Sequence, residues 1–339
     1  MHMPSEPAHT DTFAPYRDLI ESALADALEE FREPHCLYDP VHYLFEAGGK
    51  RVRPVLTLLS CEAVGGAAEH ALPASVAVEL LHTFTLVHDD IMDSSAKRRG
   101  RDTVHRKWNT NTAILSGDVM MGMAMRLLLR SAAHAPRPLD VVDAFSTGLI
   151  DVCDGQALDM EFMLRSDVRA DEYFMMIERK TARLLETSVA IGASIGGAQE
   201  HDRASLQTFA REIGLAFQMQ DDILDVVGAE KFGKARGGDI IEGKRTWLML
   251  ECCARVENDA HAVASHRDLV AMFRSGTPLT TDHVDAVISM FDVYGILDAA
   301  AAVVAQHTQN AYDALSRLPH SPARDRLHEL ATSLMERTH

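Results

Sequence analysis

Two segments of this chain repeat one pattern, Asp89-Asp90-Ile91-Met92-Asp93 and Asp221-Asp222-Ile223-Leu224-Asp225. Each follows an apolar run with helical periodicity, Leu80 to Val87 before the first and Phe209 to Gln220 before the second. On a helix the first and last aspartates of each cluster stand four apart and share a face, with the second beside them. Such a placement is electrostatically poor. Negative charge at a helix C-terminal end opposes the macrodipole, and two carboxylates about 5 Å apart repel by roughly 3 kcal/mol at an effective dielectric near 20. A hard divalent cation reverses that sign, and Mg²⁺ completes its shell with water and phosphate oxygens after taking one or two carboxylates. A single cluster of this kind is an ordinary solvated helix end. Two, each with basic residues nearby, point to metal-bridged diphosphate.

The basic residues are unevenly placed. The chain carries a formal net charge of −17 and seven lysines. Yet Lys97-Arg98-Arg99-Gly100 follows the first cluster, and Lys231, Lys234, Arg236, Lys244 and Arg245 follow the second. The latter stretch is glycine-rich, which lets backbone approach an anion or move as a lid. A third element, Gly48-Gly49-Lys50-Arg51-Val52-Arg53-Pro54, is a flexible turn in which Lys50 offers a point charge and Arg53 a fork to phosphate oxygens. Alone it reads better as a solvated basic turn. Lys180-Thr181, Gln156 and Asp159 alone read as helix surface.

The acidic balance argues against nucleic acid and anionic lipid as partners. It suits a salty cytoplasm and an ordinary acidic surface alike. The five cysteines, Cys36, Cys61, Cys153, Cys252 and Cys253, show no ligand spacing and read as thiols in a reducing compartment. Met1 to Thr12 lacks a signal-peptide core, and no run approaches about 18 apolar residues, so the expectation is a cytoplasmic chain with no integral membrane segment. Helical periodicity returns between breaks at Arg32-Glu33-Pro34, Gly65-Gly66 to Pro73, His134 to Pro138, Gly196-Gly197, Gly228 to Gly243 and Gly276-Thr277-Pro278, without strand alternation. The expected fold is all-α: a disordered tail over 1–12, then one large helical bundle over 13–339, with Pro73 opening the helix of the first cluster. Segments beyond about Arg255 carry no chemistry and read as packing helices.

Taken together the motifs resemble the trans-isoprenyl diphosphate synthases, the polyprenyl synthetase family. The resemblance runs from about Tyr38 to Leu250 and includes the Gly48 to Pro54 turn, His82 to Asp93, Arg98-Arg99-Gly100, Gly155-Gln156, Lys180-Thr181, Phe217 to Asp225, Phe232-Gly233-Lys234 and Gly238-Asp239-Ile240. It implies an isoprenoid-synthase-type bundle with a deep central cavity, a homodimer, and two substrates: isopentenyl diphosphate and an allylic diphosphate (dimethylallyl, geranyl or farnesyl). It implies Mg²⁺, usually three ions, with Asp89, Asp93 and Asp221 as main ligands and Asp90, Asp222 and Asp225 binding directly or through water. Lys180, Lys234, Lys244 and Arg98 would neutralise the allylic diphosphate; Lys50, Arg53, His82 and Arg99 would hold that of isopentenyl diphosphate. Oxygens of Thr181, Gln218 and the Lys180 carbonyl would stabilise the positive charge that develops as the C–O bond ionises, with no side-chain nucleophile.

In that family, bulk ahead of the first cluster sets the cavity floor. Phe84 lies five residues before Asp89, Leu81 eight, and Thr85 four, on one helical stripe. One aromatic at the fifth position, with no insertion in the cluster, looks like the archaeal-type geranylgeranyl synthases. The expected product is therefore geranylgeranyl diphosphate, with farnesyl or a longer prenyl diphosphate as alternatives. A class I terpene cyclase would normally lack the second Asp cluster and the Lys50–Arg53 turn, and a non-catalytic subunit of a heteromeric synthase would usually lose motif residues that this chain keeps.

Overall fold

The computed structural model describes residues 11–228 and 236–336. Most of the expected tail over 1–12, and both Lys231 and Lys234, lie outside the described residues. Within them the fold is all-α. Strand is confined to one short antiparallel pair, Lys97–Arg98 with Arg101–Asp102, of which the sequence bears no alternating pattern. It forms because Arg99 and Gly100 take φ of 51° and 76°, the backbone that a tight two-residue hairpin needs.

The chain divides into two compact units, one of residues 1–142, 190–198 and 321–326, the other of 143–189, 199–320 and 327–339. The first is built on the helix Ala68–Met92, in which Ala71, Ala74 to Leu81, Thr83, Val87 and Asp90 are buried. A helix apolar on nearly every side must be a core element, and this one packs against Val52–Ala63 and Thr110–Ala132. It begins at Ala68, so Pro73 does not open it but sits inside it. Proline removes one backbone donor and crowds the preceding turn; the Ala74 N–H beside it donates instead to Ser131 Oγ on the neighbouring helix at 2.9 Å. Length and hydropathy would let Ala68–Met92 and Thr110–Ala132 cross a membrane, contrary to the impression left by counting apolar runs. However, 61% and 44% of their most apolar windows are buried inside the protein.

In the second unit the helix Glu200–Val227 runs along Ile296–Ser316, and the C-terminal helices form a core that includes Trp247, Phe273 and Phe291, in line with their reading as packing elements. One buried carboxylate joins the two long helices. Glu212 accepts from His307 Nδ1 at 2.7 Å, Asn310 Nδ2 at 3.1 Å and Arg211 Nη2 at 2.9 Å. Burial pushes its pKa up, but the His307 and Asn310 hydrogen bonds more than reverse this and hold it at about 2. A carboxyl depressed in the fold stabilises it above the unfolded value and loses that contribution as pH falls toward the folded one. Wild type should therefore exceed Glu212→Gln in stability by about 2–3 kcal/mol at pH 7, and the gap should close between about pH 4.5 and pH 2. Denaturant unfolding across that range measures it; a pH-independent gap would rule out the ionised carboxylate as the cause.

Candidate functional site

The first Asp cluster occupies the last turn of Ala68–Met92, with Asp93 as its C-cap. Its three carboxylates have different surroundings. Asp93 is exposed and Asp89 half-buried, whereas Asp90 is 3% exposed and turned inward. Arg98, on the short hairpin, donates from Nε to Asp90 Oδ1 at 2.8 Å. Burial outweighs that attraction and raises the Asp90 pKa.

The basic side of the same unit converges on His82, two turns earlier on this helix. Arg53 Nη1 lies 3.2 Å from His82 Nε2. Because a guanidinium only donates, His82 Nε2 accepts, which requires the neutral ring. Desolvation, then Arg53, Arg99, Arg98 and Arg51, hold the imidazole well below its ordinary pKa. Arg99 Nη1 donates to the Gly48 carbonyl at 2.8 Å, fastening the hairpin to the turn, and Lys50 is exposed at the turn's tip. His82, Arg98, Arg99, Asp90, Arg51 and Glu79 all line one cavity. Of the residues expected at the second diphosphate, His82 and Arg99 line this cavity and Arg53 contacts His82, while Lys50 and Arg53 are not among its lining residues.

The second cluster lies in the last two turns of Glu200–Val227 and repeats the asymmetry. Asp221 is exposed; Asp222 is 4% exposed and accepts from the Tyr173 hydroxyl and, at 3.0 Å, from Gln218 Nε2. Burial raises Asp222 to about 7 against the pull of those two hydrogen bonds, with Asp239 and Asp221 adding repulsion. Asp225 Oδ2 accepts from the Asp239 N–H at 3.1 Å, holding the start of Gly238–Glu242. Asp239 in turn pairs with Lys244 at 2.8 Å. Burial works against the Lys244 charge, but Asp239 and Glu242 raise its pKa above the ordinary value. Arg245, grouped by sequence with these cations, is instead 5% exposed and donates to the Phe162 and Phe273 carbonyls at 3.3 and 2.6 Å. It supports the core.

Lys180 and Thr181 occupy a single π-helical turn, Glu178–Ala182, a geometry that recurs at functional sites because it frees backbone groups. Two glycines make room for it. A β-carbon on Gly155 would lie 2.7 Å from Lys180 Cα, and one on Gly214 would lie 2.5 Å from Ala182 Cα. Lys180 Nζ pairs with Asp159, so the Gly155 to Asp159 segment both seats and neutralises this turn. Thr181 Oγ1 donates to Gln218 Oε1 at 2.9 Å. A hydrogen-bond relay therefore runs from Thr181 through Gln218 to Asp222, closed by Tyr173. Nothing in sequence marks Tyr173, 49 residues from its partner.

Among the described residues, no three His, Cys, Asp or Glu side chains form a ready-made metal cage. The donor set fits Mg²⁺ all the same: each cluster ends a helix where negative charge is disfavoured, and Mg²⁺ bound through one or two carboxylates takes its other ligands from phosphate and water.

Comparison with known proteins places these features in context. Residues 34–269 match the polyprenyl synthetase family. The chain is 37% identical to a short chain isoprenyl diphosphate synthase of Methanothermobacter thermautotrophicus, covering 97% of this chain and 98% of that one. It is 36% identical to a geranylgeranyl diphosphate synthase of Methanosarcina mazei (93% and 94% covered). It is also 33% identical to a geranylfarnesyl diphosphate synthase of Natronomonas pharaonis (95% and 96%). Among solved structures, geranylgeranyl pyrophosphate synthetase from Pyrococcus horikoshii Ot3 matches with a TM-score of 0.85 at 36% identity, covering 96% and 98% of the two chains. A polyprenyl synthase from Caulobacter crescentus CB15, complexed with calcium and isoprenyl diphosphate, matches with a TM-score of 0.86 at 25% identity, covering 99% and 100%.

The π-helical turn yields a direct test. Gly155→Ala forces a methyl against the Lys180 backbone, an overpacking that costs about 1–3 kcal/mol. It should lower the thermal midpoint and cut turnover at least about tenfold, since a 1.4 kcal/mol rise in the barrier already does so. Unchanged midpoint and turnover would show that the turn tolerates a wider gap.

Proposed function

We propose a specific reaction on the premise that this chain belongs to the polyprenyl synthetase family. Members of that family are trans-prenyltransferases that make prenyl diphosphates, and this chain is one of them. The finer proposal is head-to-tail condensation of isopentenyl diphosphate with dimethylallyl, geranyl or farnesyl diphosphate to give geranylgeranyl diphosphate. The observation that carries it is the coexistence of two Asp clusters with a separate guanidinium-rich site at Lys50, Arg53, His82 and Arg99. One diphosphate calls for metal, and the other for arginine and lysine alone.

Asp89, Asp93 and Asp221 would be the principal Mg²⁺ ligands, with Asp225 beside them; inward-turned Asp90 and Asp222 would shape the ends from within. Bound there, Mg²⁺ supplies Lewis-acid stabilisation of a leaving diphosphate. Lys180, Lys244, Arg98 and Lys234 add positive charge on the protein's side. The Thr181 hydroxyl spends its proton on Gln218, so its lone pairs remain to face developing positive charge. Gln218, bonded at both ends of its amide, has little freedom to turn its NH₂ toward a cation. Neutral His82 accepts from Arg53 and keeps that guanidinium aimed. No side chain is asked to act as a nucleophile, and the diphosphate itself takes the proton released after attack by the isopentenyl double bond. A single 13–339 domain, a deep central cavity and a cytoplasmic setting belong to the same reading. So does a homodimer, for which Leu115 and Leu129, 58% and 54% exposed on Thr110–Ala132, are candidate contacts.

Incubation of pure protein with Mg²⁺, isopentenyl diphosphate and farnesyl diphosphate tests the reaction. Elongation to the C20 diphosphate is expected; a cyclic hydrocarbon would make it a terpene cyclase, and inactivity without a partner would make it a subunit. Asp89→Ala and Asp221→Ala should each reduce turnover by orders of magnitude, and near-normal rates in either would remove that cluster from the mechanism. Phe84→Ala should lengthen the product. Unchanged chain length, by chromatography of the dephosphorylated alcohols, would remove Phe84 as the floor.

A further inference from the structure

The turn that carries Lys50 and Arg53 is held by the residue between them. Arg51 is 4% exposed, while its neighbour Lys50 is exposed. Its backbone φ is 51°, in the left-handed region that a residue with a β-carbon keeps only when its surroundings impose it. Those surroundings are two carboxylates from two helices. Arg51 donates from Nε and Nη2 to Glu21 at 2.7 and 3.2 Å, and from Nη1 to Glu79 at 2.7 Å. Glu21 belongs to Ala14–Glu29, and Glu79 to Ala68–Met92, one turn before His82.

This arrangement couples the parts of the metal-free site. The Arg51–Glu79 pair ties the turn to the helix that carries His82, and the Arg53–His82 contact spans the same junction at 3.2 Å. A side chain at position 49 would crowd this packing, because a β-carbon on Gly49 would lie 3.3 Å from a guanidinium nitrogen of both Arg51 and Arg99. Charge supplies a second reason. Glu79, with a side chain 9% exposed, would repel an incoming diphosphate from beside His82. Arg51 cancels that charge and, with its guanidinium occupied, leaves phosphate to Lys50 and Arg53.

We propose that Arg51 is a positioning residue for the second diphosphate: gripped by Glu21 and Glu79, it sets the turn so that Lys50, Arg53 and His82 engage isopentenyl diphosphate together. The inference rests on the reading of those three residues as that site. The experiment measures kcat, both substrate KM values and the thermal midpoint for wild type, Arg51→Gln, Arg51→Lys, the double variant Arg51→Gln/Glu79→Gln, and separately Lys50→Ala and Arg53→Ala. Arg51→Gln should raise KM for isopentenyl diphosphate at least tenfold and leave KM for the allylic diphosphate within twofold. Arg51→Lys should recover part of the loss. The double variant removes the stranded carboxylate, so its midpoint should return toward wild type while the isopentenyl diphosphate KM stays high. If Arg51→Gln does not fold, the double variant carries the test. A double variant with normal midpoint and normal KM, or a uniform rise in both KM values, would reduce Arg51 to fold support and overturn the inference. If Lys50→Ala and Arg53→Ala leave the isopentenyl diphosphate KM unchanged, the site reading itself fails and the inference with it. If they raise it and the double variant does not, only the inference fails.

Discussion

Carboxylate crowding at the negative end of a helix is the constraint around which both units are organised. Three aspartates within five residues, at the C-terminal end of a helix, are tolerable only if their charges are answered separately. In each cluster the second aspartate is turned into the protein and met by protein donors: Asp90 by Arg98, Asp222 by Tyr173 and Gln218. Asp93 and Asp221, each in its own unit, are the exposed carboxylates of their clusters. The inward aspartates are also the ones raised by burial. The repulsion left in each cluster is of the kind a hard divalent cation relieves.

The arginine-rich side has the opposite problem. Arg51, Arg53, Arg98 and Arg99 around one imidazole would repel one another, and burial first, then these charges, lower the His82 pKa. Part of that charge is neutralised internally, by Glu21 and Glu79 on Arg51 and by Asp90 on Arg98. Asp90 thus serves both sides: it belongs to the acidic cluster by sequence and to the arginine network by contact. A substitution there would disturb the acidic cluster and the arginine network at once, which makes Asp90 a poor probe of either and Asp89 a better one.

How much of this was legible in the sequence follows from the range of each interaction. Helix periodicity and the Gly and Pro breaks are local, and they mark the all-α class and most helix ends. The Asp clusters and the Lys50–Arg53 turn carry their chemistry within a few residues, so they too are readable. Pro73 misled because the backbone beside it is held from a distance: Ser131, 57 residues away, accepts the neighbouring Ala74 N–H. Tyr173, Glu21 and Glu79 are silent in sequence for the same reason, since each acts on a partner at least 28 residues off. Arg51 and Arg245 look alike as basic residues beside motifs. Both are buried, and only their partners separate an arginine held by two carboxylates from one that caps two core carbonyls.

Product length is the property for which local reading is weakest, and the contacts of Phe84 show why. Its ring packs edge-on against His88, with centroids 4.7 Å apart. His88 Nε2 reaches the Ile114 carbonyl on the adjacent helix at 3.3 Å, and a β-carbon on Gly117 would lie 2.7 Å from His88 Cδ2. The placement of Phe84 is therefore tied to the seat of His88 and to how closely Thr110–Ala132 approaches at Gly117. On this view the fifth residue before the cluster is one variable among at least three. Relatives named for geranylgeranyl and geranylfarnesyl products lie at nearly equal identity to this chain, so overall likeness does not separate one product length from the other, and the contacts around Phe84 are where such a difference has to be sought.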